Sequence, residues 1–369
     1  MARRVNESLR KYRFIDRMIN FEASAWAETA LVIGLAFLAL IVQGVNMLHY
    51  PTLGRLGDEG IYMSQAWAVL REGRLAPYTY WYDHAPAGWI LIAGWMGLLG
   101  GPHAFGAAID TGRALMLLLH LGAVLMLYFL SRRLGISAPL AGLASFLLSV
   151  SPLAITYQRM VLLDNIMIFW ILLSLILLVG GKGRLERLFI SGIVFGVAIL
   201  SKEPAIFLLP AMLYIAYRER GRQAGWLSLG SWFIPMLAVV SLYPLYALLR
   251  GELLPLSIGG QPLSSTSGVY LVNSAIWQSG RGGGGSIFNP GSMFWQNVRV
   301  NWAPVDPFLI VGGITAVIAN LVRGLRDRRF LAAGLLGFLP FLYLARGGLV
   351  YDFYIVFALP FFCLNLALL

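Results

Sequence analysis

The sequence predicts an all-α polytopic membrane protein of the multi-span helical class, with about ten transmembrane helices and juxtamembrane helices in its first outer loop. Three observations predict this. Of the 369 residues, 59% are hydrophobic and only 12% are charged, whereas soluble domains run about 25% charged. Apolar runs recur along the chain, the first of them reaching the roughly 20 residues that cross a bilayer as helix. Arginine and lysine collect between those runs, as the positive-inside rule requires. The same placement accounts for the net charge of +11, so no nucleic-acid partner is expected. The single Cys363 excludes an internal disulfide and fits no metal-binding motif.

Each element follows in order. Residues 1–24 carry Arg3, Arg4, Arg10, Lys11, Arg13 and Arg17 and read as a basic segment on the cytoplasmic membrane surface. Residues 25–369 read as one transmembrane domain. Its first span is Ala25 to Met47, long enough to cross and without a small-residue cleavage site. An outer region, 48–104, follows. Within it Asp58 to Glu72 forms a short helix with Ile61, Ala66, Val69 and Leu70 on its apolar side, and Tyr78, Tyr80, Trp81 and Tyr82 supply interfacial aromatics. The run Ala87 to Gly101 is about 15 residues, roughly 22 Å of helix, too short for a hydrocarbon core of about 30 Å. Laid along the interface, it leaves every later basic connection on the cytoplasmic side. The remaining spans start near Phe105, Ala138, Leu163, Leu188, Ala205, Trp226, Pro307, Phe330 and Asp352, and Arg132–Arg133, Lys182–Arg187, Arg218–Arg222 and Arg323–Arg329 lie inside. A second outer region, 249–305, contains Arg281 and the glycines 282–285. The chain is still apolar at Leu369 and reads as truncated there.

This topology gathers Asp58, Asp164, Lys202 and Asp352 on one side of the membrane. Asp58 and Glu59 are too polar for lipid and must face water or a protein cavity; the plainer reading is a helix N-terminus, which acids favour. His84-Ala85-Pro86-Ala87-Gly88 opens an apolar helix with proline near its first position. Arg159 and Asp164 flank one span mouth five residues apart, poorly placed for a helical ion pair. Lys202-Glu203-Pro204 breaks two short runs. Asp352 heads the last span as a potential cap, and Tyr243-Pro244-Leu245-Tyr246 is a span end or an aromatic wall. The glycine run follows no strand and has no P-loop lysine, so it is no nucleotide cradle.

Taken together, the Asp-Glu of the first outer loop, the Pro-containing start of the juxtamembrane helix, Arg159-x4-Asp164, Ser201-Lys202-Glu203-Pro204, the Tyr243 to Glu252 stretch and Tyr351-Asp352-Phe353-Tyr354 resemble the GT-C superfamily of polyprenyl-phosphate-sugar glycosyltransferases. The branch is that of protein O-mannosyltransferases and the aminoarabinose transferase of lipid A. The resemblance implies an integral protein of a bacterial or archaeal plasma membrane, with its N-terminus in the cytoplasm and its site on the outer face. It implies a lipid-phosphate sugar as donor, a protein, lipid or glycan hydroxyl as acceptor, and transfer with inversion.

Asp58 then matches the loop carboxylate that serves as general base, Asp164 the second acidic position, and Glu59 completes the pair. An inverting transfer needs a base within reach of the acceptor hydroxyl, and desolvation raises a carboxylate toward that role. Cations stabilise the departing phosphate; the candidates are Arg159, Lys202, Arg250 and Arg346. Tyr62, His84, Tyr243, Tyr246 and Asp352 are candidate substrate contacts. The sequence departs from the family at His84-Ala85-Pro86-Ala87, where Lys-Pro-Pro is common. No cofactor follows from the sequence; a divalent ion held by Asp58 and Asp164 through oxygen ligation stays open. The alternative is a transporter or flippase of a lipid-linked sugar, which favours an inverted repeat with broken helices at the midplane; no such repeat is visible.

Overall fold

The computed structural model describes residues 25–51, 57–73, 82–180, 184–219, 224–254, 257–258, 261–262 and 270–369. The basic segment 1–24, the aromatics Tyr78, Tyr80 and Trp81, and Lys182, Arg220 and Arg222 lie outside the described residues.

Helices α1 (Ala25–Gly44), α4 (Ala108–Arg133) and α5 (Ala138–Val150) pack together at one side of a helical bundle. From α4 the packing runs through α7 (Leu163–Leu178) and α8 (Leu185–Ser201) to α10 (Gly225–Leu249), then to α9 (Leu209–Arg218). The other arm runs from α5 through α15 (Leu359–Leu368) and α13 (Gly313–Gly324) to α14 (Arg328–Ala345), which meets α9 and closes the ring. Two short helices, α2 (Gly57–Glu72) and α3 (Ala87–Leu98), pack on one another beside α4, and α6 (Pro152–Tyr157) links α5 to α7.

Among the described residues four helices, α1, α4, α10 and α14, are long and apolar enough to cross a membrane unaided. The other apolar helices are shorter, so the structure establishes a multi-span helical protein and leaves the span number of ten as an expectation. Helix α3 has 12 residues, about 18 Å at 1.5 Å per residue, which is short of a crossing as the sequence suggested. The last apolar stretch is not one continuous helix. A 3-10 segment, Asp352–Phe357, precedes α15, whose faces are buried nearly all round. The described residues between 249 and 305 carry several short elements. They include a two-residue ladder, β1 (Ser257–Ile258) with β2 (Gln261–Pro262), then α11 (Leu271–Gly280), then α12 (Met293–Gln296) running into a π-helical turn at Asn297–Trp302.

Polar side chains fasten the helices where apolar contact alone gives no preference. Ser174 and Ser191 each donate to the other's backbone carbonyl between α7 and α8. Asn320 on α13 donates to both oxygens of Asn365 on α15, and Asn365 donates on to Ala333 of α14.

Candidate active site

Asp58 and Glu59 are adjacent on α2 and therefore about 100° apart around its axis. The structure separates them completely. Glu59 is fully buried and accepts from Arg113 Nε at 3.1 Å and Nη2 at 3.0 Å. It also accepts from the Val161 amide at 2.8 Å. Arg113 spends its other donors on the carbonyls of Met47 and Pro51. Glu59 is thus the pin that fixes α2 to α4 and to the loop before α7. Asp58, half-buried, points elsewhere, and among the described residues no hydrogen bond or ion pair reaches its carboxylate. Burial pushes its pKa above the ordinary 3.8, against the pull of Lys202 and with the push of Asp164.

Around Asp58 stand two ion pairs. Asp164 lies in the first turn of α7, and Lys202 directly follows α8. Each charge suits its own helix end, an acid at the N-terminus and a cation at the C-terminus. The antiparallel packing of α7 on α8 brings those ends together, and Lys202 Nζ meets Asp164 Oδ2 at 2.5 Å, both side chains buried. One residue on, Glu203 accepts from the Ala85 amide at 2.7 Å and pairs with His84 Nδ1 at 2.9 Å. Burial alone would lower the His84 imidazole, but the Glu203 carboxylate outweighs it and holds it above the ordinary 6.5. Burial likewise opposes Glu203 ionisation, and the His84 charge and hydrogen bond hold its pKa below the ordinary 4.5. Gly88 permits this approach: a Cβ there would lie 2.6 Å from Leu163 and 3.4 Å from the Ser201 carbonyl. Tyr62, one turn beyond Asp58, packs edge-on to His84, and Tyr243 donates to the His84 carbonyl at 3.0 Å.

An aromatic wall closes the cluster. The Lys202 ammonium lies 4.7 Å from the ring centre of Tyr354 and 5.3 Å from that of Phe353. Tyr354 sits in the field of Asp58, Asp164 and Arg281. Tyr343 packs against Tyr354, and the Arg346 guanidinium lies over the Tyr343 ring at 3.9 Å. Arg281 donates to the Tyr351 hydroxyl at 3.0 Å. Arg281-Gly282-Gly283 and Arg346-Gly347-Gly348 are clasped by their backbones: Gly283 donates to Gly347, and Leu349 donates to Arg281. A Cβ on Gly283 would lie 2.1 Å from the Gly348 carbonyl, so only glycine admits the clasp.

The structure therefore brings together Asp58, Tyr62, His84, Asp164 and Lys202, with Arg346 beyond Tyr343. Tyr243 supports the His84 loop from behind. Arg250 pairs with Glu252 and lies over the Tyr246 ring, and Tyr82 also donates to Glu252, which sets this group at the rim beside Tyr243. Asp352 accepts from Tyr157 at 3.0 Å, one residue from the aromatic wall. Two expected site residues lie apart. Glu59 is consumed by Arg113, and Arg159, buried, donates to the Val42 carbonyl and covers the Tyr50 ring. Sequence reasoning named Glu203 and Arg281 without giving either a site role, and it passed over Arg113. Arg113, a charge inside an apolar run, is itself a signal of a buried partner.

The residues present form no metal cage. Lys202 occupies Asp164, and among the described residues no group of three His, Cys, Asp or Glu converges. A divalent ion beside Asp58 would have to take most of its ligands from a phosphate and water, as magnesium commonly does.

Part of the chain matches a known family, and its fold matches solved structures. Residues 83–247 match the family model described as dolichyl-phosphate-mannose-protein mannosyltransferase. The apo oligosaccharyltransferase of Archaeoglobus fulgidus superposes with a TM-score of 0.62 at 13% identity, covering 94% of this chain and 50% of that one. The same enzyme tethered to an acceptor peptide gives 0.59 at 14% identity, covering 94% and 49%. ArnT from Cupriavidus metallidurans bound to undecaprenyl phosphate gives 0.58 at 18% identity, covering 92% and 60%. No curated protein sequence matches the chain. The chain thus spans about half the length of the first two structures and 60% of the third. The fold is of the GT-C type, that of an integral, multi-pass membrane protein.

Proposed function

We propose that the chain is the membrane-embedded catalytic part of a glycosyltransferase that moves a sugar from a polyprenyl-phosphate donor to an acceptor hydroxyl with inversion. The site faces the outer side of a bacterial or archaeal plasma membrane, and the N-terminus faces the cytoplasm. The observation that supports this most directly is Asp58. Among the described residues it is the carboxylate of the cluster without a bonded partner, while Asp83, Asp164 and Glu203 are each engaged. A half-buried carboxylate with a raised pKa is suited to general-base work.

In the step, the acceptor oxygen attacks the anomeric carbon as its proton passes to Asp58. The bond from that carbon to the phosphate oxygen breaks, and its electron pair leaves with the polyprenyl phosphate. The departing group is a stable anion and needs no acid. Lys202 lowers the energy of developing negative charge, and Asp164 fixes Lys202 rather than reacting. His84, whose pKa the Glu203 carboxylate raises, stands where the family commonly has lysine. Arg281 and Arg346, clasped together across Tyr343 and Tyr351, supply further positive charge for the phosphate, with Arg250 on the opposite rim. Glu59 and Arg159 serve the frame. A transporter would place its charges near the midplane; here they gather at helix ends and in the adjoining loops.

The test is to incubate the purified chain with polyprenyl-phosphate sugars and an acceptor extract and to follow the anomeric configuration by NMR. The reading expects release of polyprenyl phosphate and a product of inverted configuration. A retained configuration, or donor carried across vesicles without cleavage, would contradict it.

A further inference from the structure

Two cavities on the described surface share a wall formed by Val300 and Asn301 on the π-helical turn. The first, about 400 Å³, lies between Tyr50, Thr156, Tyr157 and Asn301. The second, about 350 Å³, lies between Gln296, Asn297, Asn301, Tyr351 and Asp352. Each falls within the range of small-molecule sites, and together they make one groove divided by a single turn of backbone. The groove ends at Tyr351–Asp352, and the next two residues, Phe353 and Tyr354, form the wall over Lys202. Its end is therefore one residue in sequence from the aromatic wall of the candidate active site.

Its chemistry is specific. Tyr50 and Tyr351 stand at opposite ends, both partly exposed. Each ring is backed by a neighbour: the Arg159 guanidinium lies 5.8 Å from the Tyr50 ring, and Phe353 is stacked on Tyr351 at 5.5 Å with an 11° angle between planes. Tyr351 is held further by Tyr354, edge-on at 5.5 Å, and by Arg281 at 6.0 Å, and a backed, partly exposed ring is a rigid amphipathic platform. Between the platforms lie three carboxamides and a carboxylate. The Asn297 amide nitrogen is spent on the Val350 carbonyl, and its oxygen accepts from Asn301. That chain of bonds fixes the Asn301 side chain, which lines both cavities. Tyr157 orients Asp352 in the same way. The lining of both cavities contains one carboxylate and no lysine or arginine among the described residues.

Tyrosine platforms, with carboxamides and a carboxylate between them and no lysine or arginine among the described lining residues, suit a ring that is apolar on its faces and hydroxylated at its edge; Arg159 and Arg281 reach the two tyrosine rings but line neither cavity. A peptide would ask for backbone partners along an extended path, and a phosphorylated glycolipid would ask for cations. We propose that this groove binds a neutral oligosaccharide acceptor, with one sugar unit in each cavity and its terminal hydroxyl directed past Tyr351 toward Asp58. The proposal rests on the glycosyltransferase reading for the acceptor role and on the groove alone for the ligand class.

The test is direct binding to the full chain in detergent, read by saturation-transfer NMR, with neutral tri- to hexasaccharides cut from mannan, glucan, galactan and arabinan. A Ser/Thr-rich peptide and a phosphorylated glycolipid serve as competitors for the assignment. At least one oligosaccharide should bind saturably to wild type and to Asp58→Asn alike. Asn301→Leu should weaken that binding about tenfold by removing edge hydrogen bonds. Val300→Trp should block it by filling the groove; Val300 is 67% exposed, so the added ring leaves the core untouched. Binding by no oligosaccharide, binding that neither substitution changes, or substitution-sensitive binding of the peptide or glycolipid instead would overturn the proposal. Oligosaccharide binding with no transfer from any donor would overturn the acceptor role and the glycosyltransferase reading while leaving the ligand class standing. Transfer to an acceptor that ignores both substitutions would do the reverse.

Discussion

The division of labour between Asp58 and Glu59 is the clearest case of one helical step deciding a residue's work. One carboxylate is locked by a buried arginine and an amide; its neighbour has no bonded partner among the described residues. Glu59→Gln should lower stability by about 3–5 kcal/mol, because a fully buried Arg113 would lose its counter-charge; a thermal melt in detergent reads it. An unchanged melting temperature would mean that Arg113 finds another partner. The His84–Glu203 pair makes a second prediction at this scale. His84 is raised above 6.5, so its share of stability is complete below 6.5 and is lost as pH climbs through its folded value. Glu203 is lowered below 4.5, so its share is complete above 4.5 and is lost as pH falls through its own folded value. Melting temperature should therefore be highest between these limits, and His84→Gln should flatten the alkaline fall. The sequence showed the Asp-Glu pair but not which acid turns inward, because the choice depends on Arg113, 54 positions away.

At the scale of elements, the site is made by helix ends rather than by one motif. The start of α7, the end of α8, the start of α2 and the loop before α3 converge because each terminus suits the charge it bears and because Gly88 allows the approach. Sequence patterns placed Asp58, Asp164, Lys202 and Asp352 near apolar run boundaries and so, by expectation, on one side of the membrane. They did not pair Asp164 with Lys202, since that contact is set by the antiparallel packing of α7 on α8. Nor did they find the clasp of the two Arg-Gly-Gly segments, which joins the second outer region to the end of α14. Gly283→Ala would drive a methyl group into the Gly348 carbonyl. It should raise the donor KM more than it lowers kcat, because it displaces Arg281 and Arg346 while leaving Asp58 in place. An equal loss in kcat with KM unchanged would remove the clasp from donor binding.

For the whole molecule, composition was enough to establish a helical membrane protein, and the order of short motifs was enough to indicate the GT-C fold. The number of spans was less legible, because several helices are shorter than a bilayer and are held by neighbours rather than by their own hydropathy. The proposed orientation can be read chemically. Cys363 is buried in α15, so the wild-type chain gives little background with a thiol reagent. His103 is exposed in the turn after α3, and His103→Cys should react with a membrane-impermeant maleimide added outside intact cells. Labelling only after the cytoplasmic side is opened would invert the topology and move the site to the other face.

The measurement closest to the central claim is sugar transfer by Asp58→Asn beside wild type, using purified polyprenyl-phosphate sugars. Loss of a general base should lower kcat by about 10²–10⁴-fold, with the melting temperature held, since no bond to Asp58 is broken. The acid limb of the wild-type profile should lie above 3.8, where burial places this carboxyl. Transfer at the wild-type rate by Asp58→Asn would contradict the account and return the base to another group.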